Sequence, residues 1–99
     1  MKITQINLNL CDTAQQLLWQ SATETGCDVA MIAEPYRVVR ENGKWVADRA
    51  AMAAIYAMGK FPIEEVISSS HEGFVIARIN GIFLCSCYAP PRWTLEQFQ

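Results

Sequence analysis

Ile3 to Leu10 predicts a strand: apolar and polar residues alternate with a period of two from Gln5 through Ile6, Asn7, Leu8 and Asn9 to Leu10, preceded by Ile3 and Thr4. Asp12 then opens a helical pattern over Thr13 to about Thr25. Ala14, Leu17, Leu18 and Ala22 form its apolar stripe, Trp19 widens it, and Gln15, Gln16, Gln20 and Glu24 take the wet side. Asp12 as N-cap with Gln15 three residues on predicts a capping box, and Gly26 a left-handed stop. Asp28 to Ala33 is a short, nearly all-apolar run of the kind a strand buried on both faces requires. Strand, helix and strand in this order predict two parallel strands joined by a right-handed crossover.

Pro35 ends the second strand. Asn42-Gly43 is a turn dipeptide, and Val38-Val39 and Trp45-Val46 flank it as arms of a small hairpin or an ordered loop. Ala50 to Met58 favours helix by propensity, yet Gly59 and Pro62 bound it as turns bound a strand. Ile63 to Ile67 reads as a further short strand, ended by Ser68-Ser69-Ser70. Phe74 to Ile79 and Ile82 to Tyr88, rich in β-branched and aromatic residues, predict a hairpin closed by the type I′ dipeptide Asn80-Gly81. Pro90-Pro91 ends it, and Thr94 looks like the cap of a helix opening at Leu95, with Gln97 at its capping-box position. There is no internal repeat and no low-complexity segment.

Ninety-nine residues accommodate one modest domain. Hydrophobic content of 52% against 18% charged residues is high for so small a chain, and predicts apolar faces that further chain would cover. A net charge of -2 argues against a broad basic surface for nucleic acid, while leaving room for local phosphate contacts or binding through a metal. No apolar run reaches the roughly eighteen residues of a membrane span, and the first residues lack the apolar core of a signal peptide. An intracellular protein, nuclear or cytoplasmic, is expected. Cys11, Cys27, Cys85 and Cys87 contain no CxxC spacing and no nearby histidine, so buried free thiols are expected rather than zinc or disulfides.

Asn7, Glu34 and Tyr88 share one property: each is a polar group at or near the exit of a predicted core strand. If those strands share a sheet, the three side chains converge. A carboxylate and an amide oxygen suit magnesium, which keeps most of its waters and takes one or two protein carboxylates. A tyrosine hydroxyl beside them could donate to a phosphate oxygen. The plainer alternatives are an asparagine bonded to nearby backbone, a solvated turn glutamate and a core aromatic with a wet tip.

"QINLN", "DVAMIAEPY", "NGIFLCSCYAPP" and "WTLEQF" together resemble blocks of the endonuclease/exonuclease/phosphatase superfamily, in order and spacing as well as content. More narrowly they are similar to the N-terminal endonuclease domain of non-LTR (LINE-type) retrotransposon polyproteins. Abasic-site endonucleases and pancreatic DNase are more distant relatives. The likeness runs over nearly the whole chain and is densest at 3–36 and 74–92.

The resemblance implies a partial four-layer α/β/β/α sandwich of the DNase I-like type, one mixed sheet with a flanking helix, residues 1–99 being the N-terminal part of the domain. It overrules helix propensity at Ala53 to Met58 in favour of strand. It implies a Mg²⁺- or Mn²⁺-dependent phosphodiesterase that nicks target DNA, leaving a 3′-hydroxyl for a downstream reverse transcriptase region. On this reading Glu34 is the metal ligand, Asn7 helps hold the metal and its ligands, and Tyr88 contacts the scissile phosphate. Asn9 and Arg37 are lesser candidates for contact with nucleic acid. In relatives the His–Asp pair that activates water lies further along the chain, and His71 does not match it, so a chain of this extent is expected to be nearly inactive. The alternative is a non-catalytic remnant or interaction module derived from such an element.

Overall fold

The computed structural model describes residues 1–39, 43–67 and 73–88. Eight elements follow in order: β1 (Ile3–Asn7), α1 (Asp12–Thr25), β2 (Val29–Ala33), β3 (Trp45–Ala47), β4 (Ala53–Ala57), β5 (Ile63–Ile67), β6 (Phe74–Ile79) and β7 (Ile82–Cys87). They form a four-stranded sheet in the order β1-β2-β4-β3 and a three-stranded sheet in the order β5-β6-β7.

Strands β1 and β2 are parallel, Ile3 opposite Val29 and Asn7 opposite Ala33, as a strand, helix and strand require. All other pairings are antiparallel. Because β2 lies under α1 on one face and under the second sheet on the other, it must be apolar on both. Ala30 and Ile32 join Leu8, Leu18, Trp45 and Ala54 beneath the helix. Val29 joins Ala53, Ile55, Ala57, Val75, Ala77 and Ile79 between the sheets.

The same two-sided burial explains why Ala53 to Ala57 is a strand despite its helix-favouring composition. Ala53, Ala54 and Ile55 are wholly buried, and a helix would bury only one stripe of them. Small alanines on β4 also let the second sheet approach closely. On the helix side, Trp45 and its cross-strand partner Tyr56 stack with centroids 4.3 Å apart, and Trp19 of α1 closes on Tyr56 at 4.9 Å.

Several expectations change. The first strand stops at Asn7, not Leu10, because Asn9 and Leu10 take left-handed backbone (φ 52° and 58°) and the Cys11 N–H folds back to the Leu8 carbonyl. The N-cap is Cys11, with no side-chain cap, and the capping box from Asp12 to Gln15 does not form. Gln15 is buried instead, while Leu17, assigned to the apolar stripe, is 59% exposed. Gly26 does cap the helix in left-handed geometry. Trp45–Ala47 pairs with β4 and not with Val38-Val39, which pack against the helix-side core. The 73–88 hairpin forms as expected, with Asn80 and Gly81 at φ 53° and 75°, but it builds a second sheet rather than extending the first. Of the four free cysteines only Cys27 is buried; Cys11, Cys85 and Cys87 are exposed. The Asn42 half of the predicted turn, the Ser68–Ser70 loop, His71, the double proline and the Thr94 helix lie outside the described residues.

Candidate functional site

Strands β1 and β2 end side by side, and the chain is tightly held where they do. The Leu8 N–H donates to the Ala33 carbonyl (2.9 Å), carrying the parallel ladder one step past Asn7. Glu34 follows with φ 51°, a left-handed conformation that a non-glycine residue adopts at a cost of about 1–2 kcal/mol. Its backbone is tied on both sides: its N–H donates to the Met52 carbonyl (2.8 Å), and its carbonyl accepts from the Leu10 N–H (2.9 Å). The half-buried side chain of Glu34 therefore departs from a fixed point.

A third restraint comes from Gln15. Its Oε1 accepts from the Tyr36 and Arg37 N–H groups at 2.8 and 3.1 Å, and its Nε2 donates to the Arg37 carbonyl at 2.9 Å. One buried amide from the first turn of α1 thus clamps the two residues that follow Glu34-Pro35. Tyr36 and Arg37 themselves remain exposed.

Asn7 is exposed, and its Oδ1 accepts from the Asn9 N–H (2.8 Å), the backbone bond of the plainer sequence reading. An amide oxygen has two lone pairs, so a second partner is still possible. Asn9 is exposed on the left-handed turn.

Tyr88 belongs to the other sheet. It leaves the end of β7 half-buried, packs against the core between the sheets, and its N–H donates to the Gly73 carbonyl (2.6 Å). The ends of β2 and β7 meet nonetheless: the Ser86 hydroxyl donates to the Ile32 carbonyl at 3.3 Å. Between them lies an open cleft of about 190 Å³ lined by Asn7, Ala33, Ser86 and Cys87, with Gln5, Ile6 and Met31. The fold thus sets Asn7, the residue before Glu34 and the residue before Tyr88 around one cleft. They reach it from two facing sheets rather than from a shared one.

The donors at the strand ends are the Glu34 carboxylate and, on the neighbouring strand, the Asn7 amide oxygen, of which Asn7 lines the cleft. Among the described residues no group of three or more His, Cys, Asp or Glu side chains could hold an ion. That set does not suit zinc or a fully protein-caged ion. It does suit a hard divalent cation that retains most of its water.

Two polar residues that the sequence pattern did not assign to the site shape this region. Gln15 is one, and its spacing to Leu18 and Ala22 places it on the buried stripe of α1. Asp48, 3% exposed, is the other. Its Oδ1 accepts from the Met52 and Ala53 N–H groups (2.7 and 2.9 Å) and its Oδ2 from the Gly73 N–H (2.7 Å), linking the β3–β4 turn to the start of β6. Burial by itself would raise the Asp48 pKa, but N–H donors from Gly73, Ala53, Met52 and Ala50 outweigh it and hold the carboxyl below its ordinary value.

The architecture matches a solved structure, the endonuclease domain of TRAS1, a telomere-specific non-LTR retrotransposon, with a TM-score of 0.76 and 24% identity. The fold is DNase I-like. The match covers 95% of this chain and 47% of that one, so the chain spans about half the length of the TRAS1 domain. No protein-family model matches the sequence, and no curated protein is found similar to it. Among the described residues no helix is long and apolar enough to cross a membrane.

Proposed function

We propose that this chain carries the ion-holding part of a nuclease site that hydrolyses phosphodiester bonds in DNA. The observation that supports this most directly is Glu34. An acidic residue is kept in left-handed backbone, where glycine would be the easy choice, at the joined ends of β1 and β2 and under restraint from Met52, Leu10 and Gln15. Backbone strain over-determined by its surroundings is common where a side chain must be aimed. The likeness in fold to the TRAS1 endonuclease domain supports the same reading.

On this proposal Glu34 and Asn7 would hold Mg²⁺ or Mn²⁺. The ion, when bound, would offset charge on the phosphate and the departing oxygen. Tyr88 donates its hydroxyl to a phosphate oxygen across the cleft. Arg37, exposed beside the Glu34 loop, and Asn9 contact the DNA backbone; a net charge of -2 leaves affinity to such local contacts. The same reading extends to nicking of target DNA by a retroelement protein with a reverse transcriptase as neighbour.

Mn²⁺ titration followed by paramagnetic broadening of amide resonances tests the ion site. Broadening centred on Asn7, Leu8 and Glu34, and lost in Glu34→Gln, is the expected result. Broadening elsewhere that the substitution leaves unchanged would overturn it. A DNA duplex added in the presence of Ca²⁺ should shift resonances around Arg37 and Tyr88, and Arg37→Ala should weaken that binding.

A further inference from the structure

Strand β7 is an edge strand of its sheet, so one of its sides has no strand neighbour among the described residues. Its side chains alternate: Ser86 turns inward to β2, while Cys85 and Cys87 share the opposite, exposed face. Their Sγ atoms are 3.4 Å apart. Ile76 and Phe74, paired with Cys85 and Cys87 in the β6–β7 ladder, supply apolar walls. We propose that Cys85 and Cys87 form a chelating dithiol that captures one trivalent oxo-electrophile of the arsenic type.

The separation of the sulfurs selects the ligand. With bonds to sulfur of about 2.3 Å, thiols 3.4 Å apart enclose an angle of about 95° at the bound atom. That angle fits a pyramidal trivalent centre. It is far from the straight line of a two-coordinate ion. A tetrahedral zinc site needs four donors, and the described residues supply no group of three.

A disulfide fits less well. Two residues along a strand place the Cα atoms about 6.6 Å apart, near the upper end of the range disulfides span. The ladder to β6 holds both positions in register. A bridging atom joins the sulfurs where they already stand, whereas a direct bond must draw them together.

Protonation points the same way. Partial desolvation of the otherwise exposed thiol, the hydrogen bond with Cys87 and that thiol's charge when ionised push Cys85 up to about 11. A bare cation would have to displace this proton. An arsenic oxide removes it, because two thiols and one R–As=O give R–As(SR′)₂ and one water. Two As–S bonds replace the bonds to oxygen, both thiol protons leave on that oxygen, and no oxidation state changes. The proposal is argued from β7 alone and does not rest on the nuclease reading, although Cys87 also borders the cleft beside Asn7.

Phenylarsine oxide added to the 99-residue chain tests it. One adduct is expected by intact mass, with two of the four cysteines lost to thiol titration and both mapped to the β7 peptide. Excess monothiol should leave the adduct in place and a dithiol should remove it. Cys85→Ser and Cys87→Ser should each weaken binding by roughly 10²-fold or more, the gain that joining two contacts on one scaffold supplies; Cys11→Ser should not. The wild-type readouts decide the matter even if a variant fails to fold. An adduct that monothiol strips, one bridging another cysteine pair, or loss of two thiols without arsenic would overturn the proposal.

Discussion

The side-chain oxygen of Gln15 accepts the Tyr36 N–H at 2.8 Å across 21 residues of chain, and with Arg37 that amide makes three hydrogen bonds to one loop. This contact aligns the first turn of the helix with the loop that leaves Glu34. Gln15→Ala would strand two N–H groups and a carbonyl in a half-buried place. Destabilisation of about 2–3 kcal/mol is expected, read by urea unfolding. Faster amide exchange should be concentrated at Tyr36 and Arg37.

Glu34 offers a test that separates stability from function. At φ 51° glycine is unstrained, so Glu34→Gly should match or exceed wild type in stability by up to about 1 kcal/mol. Glu34→Ala retains the strain and should be the less stable of the pair. Both should lose Mn²⁺ binding. A Glu34→Gly variant that melts well below Glu34→Ala would show that the left-handed backbone at this position carries no strain for glycine to relieve.

Asp48 makes folding pH-dependent. Its folded pKa lies below the ordinary value of 3.8, so the folded state holds the charged form more strongly than the unfolded chain does. The resulting stabilisation is complete above the unfolded value and is lost as pH falls through the lower, folded one. Asp48→Asn turns an NH₂ group toward backbone N–H donors and should cost about 2–3 kcal/mol near neutrality. Denaturation midpoints against pH should converge for variant and wild type in acid, below pH of about 4.

Gly59 meets Asp28 too closely for any side chain. A Cβ there would stand 2.5 Å from Asp28 Oδ1 and 2.8 Å from its Cα, and the Gly59 N–H already donates to the Asp28 carbonyl. Gly59→Ala should lower stability by about 1–3 kcal/mol, measured by thermal melt, through displacement of the start of β2. Gly43→Ala, with open space around its Cβ but left-handed backbone at φ 72°, is a useful comparison: its smaller loss should report backbone strain without collision.

Local patterns carried much of the architecture. The doubly buried run of β2, the helix stop at Gly26 and the Asn80-Gly81 turn are each set by residues within a few positions of one another and appear where the pattern places them, while β1 begins as expected and stops three residues early. Glu34 and Asn7 were legible for the same reason, since a polar residue closing an apolar strand is a local signal. Their alignment followed from the parallel pair.

What the sequence by itself determined is therefore the series of elements, the β1–α1–β2 unit and the polar residues at its strand ends. The resemblance had already made 53–58 a strand against its propensity, and burial on two faces supplies the physical reason that composition lacked. Tertiary structure alone decided the rest. The 74–87 hairpin joined β5 in a second sheet because its inner face, Val75, Ala77 and Ile79, completes the core over β2 and β4. Gln15 gave up the capping role that its spacing allowed for bonds to residues 21 and 22 positions away. Asp48 found a further donor in Gly73, 25 positions away. Spacing cannot reveal such partners, because a buried polar group bonds to whatever the packed chain brings within reach, and that is settled only when the layers close.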